Sequence, residues 1–302
     1  MDHKNSNIQL NSQSNFLQNL LGIRDTLPKK QKQVCNYMIE NHQSVGVLTI
    51  AELAMYSNVG TTTVMRFIKN LGYESYSDVK KEIIDDSIQS TPSAWWHLQQ
   101  SFKPNNKQIH TMTEVGAEVI NIIEQTLTPM LISNFDLAIK LILKSKRVHI
   151  LGARSNKALA MYFGYILEEF YPNVFQLSRD TEFIYDRLLR FSEGDILILI
   201  DNAPFTTIGI ETAKFCSENG HPVILITDHL SSPAATFASA TLNSKASNKQ
   251  YSIMPTLYII ESLIIEIGRK TSHTSISDLQ KLSDILESKN ITQPFSFDDQ
   301  KN

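Results

Sequence analysis

Residues 49–73 carry the apolar pattern of two short helices joined by a turn. Ile50, Leu53 and Ala54 share one helical face, and Val64, Phe67, Ile68 and Leu71 recur at helical spacing in the second segment. Thr49 stands where an N-cap belongs, with Glu52 three residues later, the spacing of a capping box. Ser57-Asn58-Val59-Gly60 breaks the first helix, Thr61 is placed to cap the second, and Gly72 ends it. The pattern leaves Thr62, Thr63, Met65, Arg66 and Lys69 pointing away from the apolar face. A short helix that begins on hydroxyls and projects an Arg has the chemistry to enter a DNA major groove. Thr49, Thr61, Thr62, Thr63, Met65, Arg66 and Lys69 are therefore the candidate DNA contacts.

Helical patterns flank this pair. One runs over 15–23, and another follows Pro28 with Val34, Tyr37 and Met38 inward. A third begins near Ser77 as its cap. The pattern thus predicts an all-helical domain over 15–90, preceded by a disordered tail over 1–14. Residues 91–112 contain Pro92 and Pro104 among polar residues and read as a linker. Two more helices are expected over 113–127 and 130–144.

From Arg147 onward the period changes. Apolar strands are expected over 147–153, 173–178, 195–201 and 222–228, with a short one at 241–243. Helical patterns separate them, and a long helix is expected over 255–270. Strands apolar on both faces, alternating with helices, specify a doubly wound parallel sheet covered on each side. This second domain spans 113–275 with its leading helices, and 276–302 reads as a C-terminal tail. The fold class is therefore α plus α/β.

Composition narrows the class without naming it. The chain has 302 residues and a net charge of −3. Between Arg24 and Lys81 eight Lys and Arg face five Asp and Glu, so the helical domain is mildly basic and the remainder acidic. No apolar run reaches membrane length, and the polar N-terminus lacks the core of a signal peptide. The two cysteines, Cys35 and Cys216, lie far apart in apolar helical patterns and read as buried thiols. No zinc spacing occurs, and no metal or cofactor is expected. A cytoplasmic protein is the expectation.

Open parallel sheets bind ligands at the carboxyl ends of strands, beside helix N-termini. Three such loops fall in the sequence: Gly152-Ala153-Arg154-Ser155-Asn156, Asp201-Asn202-Ala203-Pro204-Phe205-Thr206-Thr207, and one beginning Thr227-Asp228-His229. The first offers backbone N–H groups, hydroxyl and amide groups and a cation to an anion.

In this order and combination, the helical domain and the sheet resemble the RpiR/MurR family of bacterial transcriptional regulators. The N-terminal resemblance rests on Leu27-Pro28, on Thr49-Ile50-Ala51-Glu52-Leu53-Ala54, and on the run from Val64 to Tyr73, continuing into Tyr76, Val79 and Lys80. The C-terminal part resembles the sugar isomerase (SIS) domain, through 147–155, 194–200 and 221–228 with Ser231-Ser232-Pro233. The resemblance implies a flavodoxin-like three-layer sheet, binding of double-stranded operator DNA, a homodimer or dimer of dimers, and control by a phosphosugar or sugar acid. Ser155 matches the phosphate-contacting serine of the first loop. The effector contacts so implied are Gly152, Arg154, Ser155, Asn156, Asp201, Asn202, Ala203, Thr206 and Thr207.

One departure has physical content. The second SIS loop usually reads Ser-x-Ser-Gly-x-Thr, whereas these six positions are Asp201, Asn202, Ala203, Pro204, Phe205 and Thr206. Only the threonine matches. An ionised Asp201 beside a phosphate dianion would repel it by roughly 1–4 kcal/mol, which Arg154 could offset. The competing class is an aldose–ketose isomerase, which needs a positioned base. Glu168, Glu169, His149, His221, His229 and Glu261 are the available groups, no pair is marked by spacing, and no catalytic residue is assigned.

Overall fold

The computed structural model describes residues 15–41, 45–46, 48–90, 94–102, 110–247 and 249–292. The tail expected over 1–14 lies outside these residues, as does 293–302.

The N-terminal domain is built from α1 (Asn15–Ile23), α2 (Lys29–Glu40), α3 (Ile50–Tyr56), α4 (Thr61–Asn70) and α5 (Tyr76–Ser90). Leu20, Val34, Met38, Leu53, Val64, Phe67, Ile68 and Val79 form its buried core. The capping box at α3 is complete: the Glu52 N–H donates to Thr49 Oγ at 3.2 Å, and the Thr49 N–H donates to the Glu52 carboxylate at 2.7 Å. Asn58 turns the chain with φ of 53°. The cap of α4 departs from expectation. Gly60 occupies the N-cap position with no side-chain bond, and Thr61 is already the first helical residue. At its far end Gly72 adopts φ of 92°, while the Tyr73 N–H donates to the Ile68 carbonyl at 3.2 Å, a Schellman closure. The cap of α5 is Ser75, not Ser77: its Oγ accepts from the Asp78 N–H at 3.2 Å and the Asp78 carboxylate accepts from the Ser75 N–H at 2.9 Å.

Within the expected linker, Ala94–Ser101 forms a helix, α6. Next come α7 (Thr111–Thr126) and α8 (Pro129–Lys144), the latter capped by Thr128 with Pro129 in its first turn.

The sheet contains β1 (Arg147–Gly152), β2 (Val174–Gln176), β3 (Asp195–Ile200), β4 (Val223–Thr227) and β5 (Ala240–Asn243), all parallel, in the order β2-β1-β3-β4-β5. Strand alternation sorts the core. Ile196, Ile198 and Ile200 of β3 face one layer with α8, α9 (Asn156–Glu168) and α12 (Met254–Lys270). Leu197 and Leu199 face the other, with α10 (Ile184–Leu188) and α11 (Thr207–Glu218). Burial on both faces explains why β3 reads as a continuous apolar run. A final helix, α13 (Ser272–Ser288), stands where a tail was expected; Ile276, Leu279 and Ile285 on it are exposed.

The amino end of the sheet is pinned by Asp195, which is fully buried. Arg147 Nη2 lies 2.6 Å from its Oδ2 and His149 Nε2 lies 3.3 Å from the same atom. The sheet changes its direction of growth between β1 and β3, so the crevice for a ligand opens above their carboxyl ends.

Candidate functional site

The proposed recognition helix α4 presents Thr61, Thr62, Arg66 and Lys69 to solvent. Thr62, Arg66 and Lys69 stand at i, i+4 and i+7 and so share one face. Thr63 and Met65 are half-buried, and Met65 packs against the domain core. The outward set is therefore narrower than the pattern suggested. Thr49 is exposed, but its hydroxyl donates to Glu52 at 2.7 Å and accepts from the Glu52 N–H, so its first task is to start α3. No side chain caps α4; the Thr63 N–H is taken by the Gly60 carbonyl at 2.9 Å, so the N–H groups of Thr61 and Thr62 ahead of it are the ones an anion can meet. Asn70 Nδ2 donates to Gln31 Oε1 at 2.8 Å and fixes the far end of α4 on α2.

Above β1 and β3 lies a cavity of about 500 Å³ lined by Ala153, Arg154, Lys157, Ser178, Thr206 and Thr207, among others. Two cations, several hydroxyls and the start of α11 face it, and no carboxylate lines it among the described residues. Arg154 is held at φ of 52°, the left-handed region that a side chain seldom adopts. Lys157 Nζ donates to the Arg179 carbonyl at 3.1 Å, anchoring the ammonium at the rim. Lys157, Ser178 and Thr181 were not singled out from the sequence; Lys157 follows the first loop by one helical residue and was legible there as a second cation.

The expected effector residues divide between two places. Arg154, Thr206 and Thr207 line the cavity. Ser155, Asn202 and Ala203 instead line a smaller cleft beside it, with Asp228 and His97. Gly152 is in close packing: a Cβ there would lie against the Asn156 carbonyl oxygen and 2.9 Å from Ala160 Cβ. Asn156 is buried, and its Nδ2 reaches the Asn202 carbonyl at 3.4 Å.

Asp201 corrects the expected repulsion. Its side chain is buried and turned inward, accepting from the Thr206 N–H and hydroxyl. It lines neither the cavity nor the cleft. Burial pushes its pKa up to about 7, against the pull of the two Thr206 hydrogen bonds, with Asp228 adding to the rise. Ala203 lacks the serine hydroxyl, and its backbone N–H is engaged within the protein, donating to Asp228 Oδ1 at 2.9 Å. The Ala203–Pro204 peptide is cis.

Four of the six groups considered as catalytic bases are engaged or remote. His149 is stacked between Phe191 and Phe175, at centroid distances of 3.9 and 5.2 Å, at the opposite end of β1. Burial lowers its pKa to about 4, against the raising effect of Asp195. His229 Nδ1 lies 2.8 Å from Asp228 Oδ1, and Glu261 accepts from the Tyr162 hydroxyl at 3.4 Å. Glu168 closes α9, exposed to solvent. Among the described residues, no His, Cys, Asp and Glu cluster suits a metal ion, and no single helix is long and apolar enough to cross a membrane.

Comparison with known proteins bears on both halves. Residues 14–90 match the helix-turn-helix domain of the rpiR family, and residues 141–266 match the SIS domain. An uncharacterized HTH-type transcriptional regulator of Haemophilus influenzae is 20% identical over 235 residues, covering 76% of this chain and 79% of its own. The HTH-type transcriptional regulator HexR of Pseudomonas aeruginosa is 22% identical over 218 residues, covering 70% of this chain and 73% of its own. Among solved structures, the Vibrio vulnificus NanR protein complexed with ManNAc-6P superimposes with a TM-score of 0.52 at 18% identity. That superposition covers 90% of this chain and 98% of NanR, so the two share a fold.

Proposed function

The chain belongs to the RpiR-type helix-turn-helix transcriptional regulators, and on that premise we propose that it senses a phosphosugar or related sugar acid in the cavity above β1 and β3. The observation that carries this reading is the convergence of Arg154, Lys157, four hydroxyl-bearing residues and the start of α11 on one cavity with no opposing carboxylate among the described residues. A cavity of about 500 Å³ has room for a sugar phosphate. NanR, the structural relative, was solved with such a ligand.

Operator contact falls to Thr62, Arg66 and Lys69, with the open N–H groups of α4 meeting a phosphate. The protein works in the cytoplasm as a homodimer or dimer of dimers, placing two copies of α4 about 34 Å apart on a near-palindromic site. Exposed Leu127, Ile132 and Ile265 around a groove of about 360 Å³ between α8 and α12 support self-association. The sheet acts as a sensor, not as an isomerase: four of the six candidate bases are stacked, paired or remote from the cavity.

The test is a thermal-shift titration with hexose 6-phosphates, sugar acids and neutral sugars. A saturable rise with an anionic sugar, weakened at least tenfold in apparent affinity by Arg154→Ala or Lys157→Ala, is expected. Equal stabilisation of both variants and of the unaltered protein refutes the placement of the site.

A further inference from the structure

The cleft beside the cavity is closed by a helix that belongs to neither matched domain. His97, buried on α6, forms one wall of it. Ser155, Asn202, Asp228 and Gln250 form others, at the carboxyl ends of β1, β3 and β4 and in the loop before α12. Ser101 holds α6 there: its Oγ accepts from the Tyr251 N–H at 3.1 Å and donates to the His97 carbonyl at 2.8 Å. The cleft and the cavity are neighbours along the chain, since Ser155 follows Arg154 and Ala203 precedes Pro204. The cleft has a volume of only about 20 Å³, room for roughly one water. Yet Asn202, which lines it, has a buried Oδ1 with no hydrogen-bond partner among the described residues, although Nδ2 of the same side chain donates to Thr256 Oγ1 at 3.0 Å.

We propose that α6 is a displaceable roof on the effector site, with His97 filling the place that the hydroxyl-bearing end of a bound effector takes. This rests on the cavity being the effector site. Docked α6 and a bound effector compete for the same space, so each lowers the apparent affinity of the other. Only residues 91–93 separate α6 from α5, the last helix of the DNA-binding domain. Releasing α6 therefore removes the nearest anchor between the DNA-binding domain and the sheet. Asn202 Oδ1 gains its missing donor from a sugar hydroxyl when His97 leaves.

The chain supplies its own reporter. Its two tryptophans, Trp95 and Trp96, both lie in α6, so intrinsic fluorescence reads the environment of this helix. The experiment uses the full-length protein, the same hexose 6-phosphates and N-acetylhexosamine 6-phosphates as probes, inorganic phosphate as a control, and operator DNA selected from a random pool. Thermal shift reads probe binding, and fluorescence reads α6. In the unaltered protein both are expected to saturate at the same probe concentration. In His97→Ala the probe binds about fivefold tighter, because less of the protein is held closed, and the probe-induced fluorescence change shrinks. Without probe, the operator affinity of His97→Ala moves by about threefold or more towards that of the probe-saturated protein. Ser101→Ala, checked for folding by circular dichroism, moves each quantity in the same direction. Stabilisation by a probe with unchanged fluorescence overturns the roof while leaving the effector site in place. So do His97→Ala and Ser101→Ala proteins whose operator affinities stay within about twofold of the unaltered protein. Should no probe stabilise the protein, the effector reading fails, and the operator measurement on the two variants still decides the role of α6.

Discussion

Asp201 Oδ1 accepts two hydrogen bonds from Thr206, one from the N–H at 3.2 Å and one from the hydroxyl at 3.0 Å. Thr206 Oγ in turn accepts from the Gly209 N–H at 3.2 Å and so caps α11. The acid that replaces the first serine of the SIS loop therefore shapes the loop from within, and it does not face the cavity.

The first prediction follows from its burial. Asp201 is raised from 3.8 to about 7 in the folded protein, so the fold binds its proton more tightly than the unfolded chain does. That stabilisation is complete below about pH 4 and is lost as pH rises through about 7. Asp201→Asn keeps an acceptor for Thr206 and has no charge to lose. Thermal melts from pH 4 to 8 should show the variant gaining on the unaltered protein, by on the order of 3–4 kcal/mol across the window, and holding steady above it. A gap that does not vary with pH excludes this account.

His149 gives the opposite slope. Burial between Phe175 and Phe191 lowers its folded pKa from 6.5 to about 4, so its contribution is present above pH 6.5 and is lost as pH falls towards 4. His149→Phe keeps the stacked rings, and Asp195 keeps Arg147 and the Ser192 N–H. Urea unfolding at pH 5 and pH 7 should differ less for this variant than for the unaltered protein.

These two residues mark where local pattern stops being informative. The capping box of Thr49 and Glu52, the strand β3 and the order of helices and strands are encoded by residues within a few positions of each other, so they can be read from the sequence. The inward turn of Asp201 depends on Thr206 returning five residues later through a loop with no repeating period. Gly60 displaced Thr61 from the cap because a glycine accepts the N-cap geometry without any side-chain bond. In the expected tail, Ile276, Leu279, Leu282 and Leu286 already had helical spacing, and the serines between them obscured it. The split of Ser155 from Arg154 follows from the left-handed backbone of Arg154, at φ of 52°, which no regular helix or strand spacing anticipates.

Gly152 is required by packing. A Cβ at this position would lie 2.8 Å from the Asn156 carbonyl carbon as well as against its oxygen, and backbone cannot swing aside as a side chain can. Gly152→Ala should cost about 1–3 kcal/mol and disturb the start of α9, where the first loop is formed. Denaturant unfolding measures the cost. A variant of unaltered midpoint that also binds ligand normally would show that α9 shifts without penalty.

On the proposed DNA face, Arg66 and Lys69 should make two kinds of contact. Both are exposed on α4, and Thr62 completes their face. Arg66 sits nearer the start of the helix, the end that enters the groove, and has the planar fork to read guanine. Lys69, one turn further, is a point charge suited to phosphate. Arg66→Ala should weaken operator binding by about 1–3 kcal/mol and relax selectivity at one base pair, without altering the melting temperature. Lys69→Ala should weaken binding to all sequences alike and reduce the slope of log K against log salt by about 1. Fluorescence anisotropy over a salt series, on the selected operator and on single-base variants of it, distinguishes these behaviours. Were Arg66→Ala to lose affinity uniformly while Lys69→Ala lost selectivity, α4 would lie in the groove in the reverse sense.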